Sequence, residues 1–258
     1  MDRVDRHERV ARGPAGIGRL DLLRVGWRLL PMQALLHARG MQSLAFARAL
    51  APVAHKLEQD GNSLLSRHLG FFNCNPNFAP MIVGGVIRLE EDRLAGRPVA
   101  PADVEYFKRS ISSPLAAMGD LLFLGALKPL ALTLACLFAI YQSFIGLVAT
   151  WLLYNLVVLS CRLGGVYFGY AKGWELVDVF SGPAFQRLLG IVQSIGASVG
   201  GALVAVVLFR FARDSTSMLG LGAALAAAAV VLLRKDISLS RVAILLFPLS
   251  AVVTLLLM

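Results

Sequence analysis

The sequence predicts an all-α polytopic integral membrane protein with an N-terminal amphipathic arm, a re-entrant segment and about five transmembrane helices. Three observations lead there. Hydrophobic residues fill 57% of the 258 positions and charged residues only 16%, whereas soluble domains average roughly 45–50% apolar and about 25% charged. The charges crowd the front: residues 1–120 carry 16 Lys/Arg and 12 Asp/Glu, and residues 121–258 carry 9 and 4. The back half then holds five apolar stretches, 121–140, 144–162, 188–209, 216–233 and 242–258, each near the ~20 residues that cross the hydrocarbon core as a helix.

Taken in order, residues 1–18 read as a mobile, charged tail ending in Gly13-Pro14. Basic residues recur through Met1–Arg28 with no apolar h-region, so no signal peptide is expected and the N-terminus stays in the cytoplasm. Residues 19–58 are helical in pattern, interrupted at Pro31. Phe46, Leu50, Val53 and Leu57 recur at spacings of three and four, which marks an amphipathic arm. Such an arm lies on the membrane surface or clasps a partner, and its sequence does not separate the two. The apolar stretch from Phe78 to Leu89 is too short to span; it follows Pro76 and contains Pro80 and Gly84-Gly85. It is either a re-entrant hairpin enclosed by protein or a core helix. The expected division is a tail and arm (1–60), a core with the re-entrant segment and a broken helix (61–130), and transmembrane helices (131–258).

Orientation follows the basic residues. With five spans and the N-terminus inside, the inner loops hold Arg162, Lys172, Arg187, Arg234, Lys235 and Arg241, and the outer loops hold Arg210 and Arg213. That asymmetry fits the positive-inside rule and puts the C-terminus outside. The net charge of +9 therefore follows topology, and no nucleic-acid partner is expected. Gly196 and Gly200 form a GxxxG in the third span, read as an intramolecular packing face.

Catalytic constellations are absent: no GxxxxGK[ST], HExxH or GxSxG, and no carboxylate pair in an apolar cleft. His7, His37, His55 and His68 lie in the polar front half without metal-ligand spacing, and Cys74, Cys136 and Cys161 form no framework. No enzyme activity, metal or cofactor is expected. The spans lack a central charge, so a proton relay is not expected either. Two segments remain. Phe71-Phe72-Asn73-Cys74-Asn75-Pro76-Asn77 sets amides beside aromatics. Amides donate and accept, which suits sugar hydroxyls, and an aromatic face covers a pyranose ring. The alternative is that Asn73 and Asn75 cap a helix while the aromatics fill core. The second segment, Ser113 to Asp120, reads as a small-residue turn supported by Pro114 and Gly119. There Asp120 is either a helix N-cap or a ligand contact.

The order of these segments resembles the IID family of mannose/fructose/sorbose phosphotransferase permeases. Met41-Gln42 with Phe46, Phe71-Phe72-Asn73-Cys74-Asn75-Pro76, Glu90-Glu91, Ser113 to Asp120, and Gly169-Tyr170-Ala171-Lys172-Gly173 match that family's motifs in order, over residues 22–258. Cys74-Asn75 stands where the family has Thr-His, Ser113 and Ala117 stand for glycines, and His37-Ala38-Arg39-Gly40 replaces Asn-Tyr-Glu-Arg. The resemblance implies a transport subunit that binds and moves a hexose-type sugar with a IIC membrane subunit, in the bacterial inner membrane and in a higher oligomer of the IIC–IID pair. Phosphoryl transfer then falls to cytoplasmic IIB, itself charged by IIA. On this reading Asn73, Asn75 and Asp120 converge on one sugar site, near the depth of the midplane sites of carriers, with Pro76, Pro114 and Gly119 shaping its turns. A rival from another class is a non-transporting IID-like scaffold or regulatory sensor.

Overall fold

The computed structural model describes residues 15–214, and these are helical apart from short connections and isolated β-bridges. The spans expected at 216–233 and 242–258 lie outside the described residues. The chain divides into two compact units, Met1–Ala197 and Ser198–Met258. All that follows concerns the first.

Its helices are α1 (Arg19–Leu29), α2 (Ser43–Leu50), α3 (Ala54–Leu57), α4 (Gly61–Arg67), α5 (Ala79–Leu94), α6 (Pro101–Gly119), α7 (Lys128–Ile140), α8 (Phe144–Lys172), α9 (Leu176–Ser181) and α10, which starts at Pro183. Between α6 and α7 the winding changes to a π-helix over Asp120–Leu127. Proline opens α6 and stands in the first turn of α5, where its missing N–H costs nothing. Ser143 caps α8, accepting from the Gly146 N–H at 3.2 Å. Gly173, at φ +51°, stops it in a conformation that suits glycine.

Among the described residues, three helices are long and apolar enough to cross a membrane: Pro101–Ile140, Phe144–Glu175 and Pro183–Val207. These contain or overlap the stretches expected at 121–140, 144–162 and 188–209. Only 11% of the apolar window of the second is buried, and Phe144, Ile145, Trp151 and Leu153 face outward, as a surface bathed in lipid requires. The first helix runs 40 residues, about 60 Å at 1.5 Å per residue, twice the hydrocarbon core of about 30 Å. Its apolar part, interrupted by Lys128, begins only at Leu121.

Helix α5 is the centre of the fold. From Ala79 to Asp92 every residue but Arg88 is buried, so the short apolar stretch is a helix enclosed by protein. It crosses α8 closely, because Gly84 and Gly169 lie where the backbones meet. A Cβ on Gly84 would strike the Val166 carbonyl oxygen, and one on Gly169 the Met81 carbonyl oxygen. Small residues are what permit such an approach.

Two sequence expectations are corrected here. The apolar face of the arm does not turn to lipid or to a partner: Phe46, Leu50, Val53 and Leu57 are all 0% exposed, in the core that surrounds α5. The physical reason is that a helix too short to span must be covered by protein. The tail also ends earlier than residue 18. Ile17 is in the core, and the Ala15 N–H donates to the buried Glu91 carboxylate at 3.0 Å.

Candidate functional site

The segment 72–75 runs without helix, turns at 76–78 into α5, and is pinned from both sides. Gln42, 2% exposed, pairs with Cys74 as a second strand would: its Nε2 donates to the Cys74 carbonyl and its Oε1 accepts from the Cys74 N–H, each at 2.9 Å. The Gln42 N–H also donates to the Phe72 carbonyl at 2.8 Å. Its neighbour Met41 sits at φ +53°, a left-handed conformation that costs a non-glycine residue roughly 1–2 kcal/mol. Phe72 drives the segment inward, its ring 4.7 Å from that of Phe46. Phe78 anchors the other end against Phe123, Phe180 and Phe185.

Asn75, buried at 6%, is the hinge of the site. Its Oδ1 accepts from the Asn77 N–H at 2.9 Å, and its Nδ2 donates to Asp120 Oδ1 at 2.8 Å. The amide can reach because residue 119 is glycine: a Cβ there would fall 2.5 and 2.6 Å from Asn75 Cβ and Cγ. Asn77 Oδ1 accepts in turn from Arg162 Nε at 2.8 Å, and Arg162 Nη1 donates to the Leu30 carbonyl at the end of α1, at 3.3 Å. One chain of hydrogen bonds thus ties α1, α8, the 72–77 segment and the first long helix.

These groups open onto one cavity of about 450 Å³, whose wall includes Gln42, Asn73, Asn75, Asp120, Lys128 and Arg162. Asn73, Asn75 and Asp120, the three residues singled out in the sequence, all line it. Of these three, Asn73 and Asp120 are exposed and Asn75 is buried. Pro76 also lines the cavity, and Gly119 lies directly behind Asn75.

The Ser113–Asp120 turn expected from the sequence is not formed. Pro114 stands inside α6, and Asp120 begins the π-helical stretch, so Asp120 caps no helix start. Helix persists because Ile111 and Leu115, on either side of the proline, are buried in the core, and that packing offsets the hydrogen bond the proline removes. A π-segment is a frequent companion of functional sites. Asp120 immediately precedes the apolar run from Leu121 and Arg162 follows the apolar run Phe144–Cys161, whereas Lys128 and Tyr154 of the same cavity wall stand within those apolar segments.

Sequence reasoning passed over Gln42, Asn77, Lys128 and Arg162 as site residues. Arg162 ends a long apolar run and Lys128 interrupts one, a signal for both. Gln42 stood in a quoted motif without a role. Asn77 stood with Asn73 and Asn75 in the amide segment without a role of its own. Among the described residues Lys128, Arg162 and Asp120 form no ion pair with an opposite charge. No group of three His, Cys, Asp or Glu there could hold a metal. Burial raises the Cys74 thiol to about 12, with the Asp120 charge adding to a rise that the Asn75 N–H partly offsets, so it stays protonated and unreactive. What remains is a cluster of amide donors and acceptors, one carboxylate and two cations, suited to binding hydroxyl groups.

Residues 17–257 match the family described as EIID-AGA, the PTS system mannose/fructose/sorbose family IID component. The chain is 34% identical over 168 residues to a mannose-specific EIID component of Escherichia coli, covering 64% of this chain and 59% of that one. It is 32% identical over 175 residues to a sorbose-specific EIID component of Lacticaseibacillus casei, covering 67% and 62%. The chain thus spans 59–62% of the length of these curated relatives. Its fold is similar to a chain of the mannose transporter ManYZ in complex with a microcin, with TM-score 0.57 and 26% identity over 92% of this chain and 96% of that one. A second solved membrane protein gives TM-score 0.69 and 27% identity over 90% and 95%.

Proposed function

Because this chain belongs to the mannose/fructose/sorbose IID family of phosphotransferase-system components, we propose that it is the sugar-handling membrane subunit of such a permease. It is a multi-pass protein of a bacterial inner membrane. It binds a neutral hexose and passes it across the bilayer together with a IIC subunit, in a higher oligomer of that pair. Cytoplasmic IIB, recharged by IIA, supplies the phosphoryl group. The N-terminus and residues 1–60 lie on the cytoplasmic side, so the end of the first long helix that carries Asp120 faces the cytoplasm.

One observation carries the reading: Asn75 and Asp120, 45 positions apart, are joined by a 2.8 Å hydrogen bond on the wall of a cavity that Asn73 also lines. A carboxylate with one oxygen held by an amide keeps the other for a ligand hydroxyl. The same amide and carboxylate can exchange their mutual bond for bonds to a sugar at little net cost, since hydrogen bonds to charged groups contribute about 1.5–3 kcal/mol on either side of the exchange.

The test is uptake of mannose, fructose and sorbose by cells supplying IIC, IIA and IIB. Asn75→Ala with Asp120→Ala is expected to lower uptake at least about tenfold, the loss of one such bond or more, while the chain still co-purifies with IIC. Undiminished uptake by an assembled double variant would remove the site and favour the scaffold or sensor.

A further inference from the structure

We propose that the sugar path has a second station, a vestibule built on Phe71 beside the Asn75–Asp120 cavity; this inference rests on the permease reading above. A separate cavity of about 340 Å³ is lined by Phe71, Asn73, Arg109, Ser113 and Ala116, together with Phe72 and Ser112. Asn73 and Ala116 also line the larger cavity, so the two spaces share a wall made of one amide and one methyl group.

The two phenylalanines of the motif part company here. Phe72 is 1% exposed and packs on Phe46, whereas Phe71 is 62% exposed. Among the described residues Phe71 stacks on no other ring. A large apolar ring standing free beside hydrogen-bonding groups is the usual make-up of a sugar subsite: the ring face covers the C–H face of a pyranose while amides and hydroxyls meet its edge. The Ser112 hydroxyl is already given to the Lys108 carbonyl, and Arg109 Nε to Glu105 at 2.8 Å. The Ser113 hydroxyl, the Asn73 amide and the remaining Arg109 N–H groups are left to face the space.

The helix supplies the connection. Arg109, Ser113, Ala116, Asp120, Leu124 and Lys128 follow one another at spacings of three or four, so they share one face of the continuous helix from α6 through the π-segment. Its first members line the vestibule and its last the larger cavity. Because the apolar run begins at Leu121, the vestibule lies on the water side of Asp120, which is the cytoplasmic side on the orientation proposed above. A neutral hexose stacked on Phe71 would stand where a soluble phosphoryl donor can reach it.

The experiment is initial-rate uptake of mannose, fructose and sorbose with IIC, IIA and IIB present. Phe71→Ala is expected to raise KM about five- to tenfold, the loss of one aromatic contact, with kcat kept, the signature of lost ground-state binding. Phe71→Tyr, which keeps the ring face, is expected to recover most of it. A Phe71→Trp reporter in the purified pair should change its emission on adding sugar even with Asp120→Asn in the deeper cavity. An unchanged KM in Phe71→Ala overturns the vestibule and leaves the Asn75–Asp120 site standing. So does a reporter emission that shifts only when IIC binds, which assigns the ring to the subunit contact. No uptake of any of the three sugars by the wild-type assembly overturns the vestibule together with the permease reading.

Discussion

Helix α5 carries a polar cluster at each end, and the two differ in what satisfies them. At its C-terminal end the charges are closed on one another. Glu90, 1% exposed, accepts from Arg93 Nε at 2.9 Å, from Arg67 at 3.3 Å and from His68 Nε2 at 3.2 Å, and Arg67 also holds Glu58 at 2.7 Å. Glu91, one residue on and turned about 100° around the helix, accepts instead from Tyr170 and from the Ala15 N–H. At the N-terminal end Asn75 is held by protein, but Asp120, Asn73 and Lys128 look into open space. Both ends carry conspicuous sequence motifs. The first is structural because its partners are protein groups. The second keeps Asn73, Asp120 and Lys128 on a cavity wall, where groups from outside the chain can reach them.

Three substitutions or conditions would sharpen or break that contrast. The largest effect belongs to the closed end. Glu90→Leu leaves Arg67, His68 and Arg93 without their shared carboxylate, and removing one member of a buried ionic cluster costs about 3–5 kcal/mol. The lower figure is expected because Arg67 and Arg93 are 29% and 26% exposed. Most of the folded protein recovered from membranes should be lost. A variant with the wild-type melting temperature would show that the cluster is decorative.

Gly119→Ala should act in the opposite way, on uptake more than on folding. The new methyl would sit 2.5 Å from Asn75 Cβ, and relieving such an overlap costs about 1–3 kcal/mol, here by moving the amide away from Asp120. Uptake is expected to fall about tenfold, with assembly retained. If uptake is untouched, the contact between Asn75 and residue 119 has no part in function.

The smallest effect is in acid. Burial alone would raise the Glu90 carboxyl, but the hydrogen bonds from His68 and Arg93 and the charges of His68 and Arg67 bring it from 4.5 to about 2. A carboxylate whose folded value is depressed adds stability that is fully present above its unfolded value and is lost as pH falls through the folded one. Detergent-solubilised protein should therefore melt progressively lower as pH drops from about 4.5 toward about 2. The same decline in Glu90→Gln, whose amide does not titrate, would point to other carboxylates.

The sequence by itself determined what depends on neighbours along the chain. About 20 apolar residues in a row must leave water, so the membrane helices from Leu121, from Phe144 and in the Pro183 helix were legible from composition alone. The turn residues between Ile140 and Phe144 were legible for the same local reason. Asn73, Asn75 and Asp120 were found because polar residues beside apolar runs stand out. Tertiary structure alone decided the rest. Gln42 meets Cys74 across 32 positions and Arg162 meets Asn77 across 85. Those partners depend on where helices cross, which glycines such as Gly84 and Gly169 set by admitting a neighbour's backbone. Around Pro114 the tertiary setting also overrode local preference. Proline and small residues favour a break there, by about 3 kcal/mol for the proline. Ile111 and Leu115 on either side of it are buried, so packing of that face holds the helix, and only the winding changes, from α to π, at Asp120.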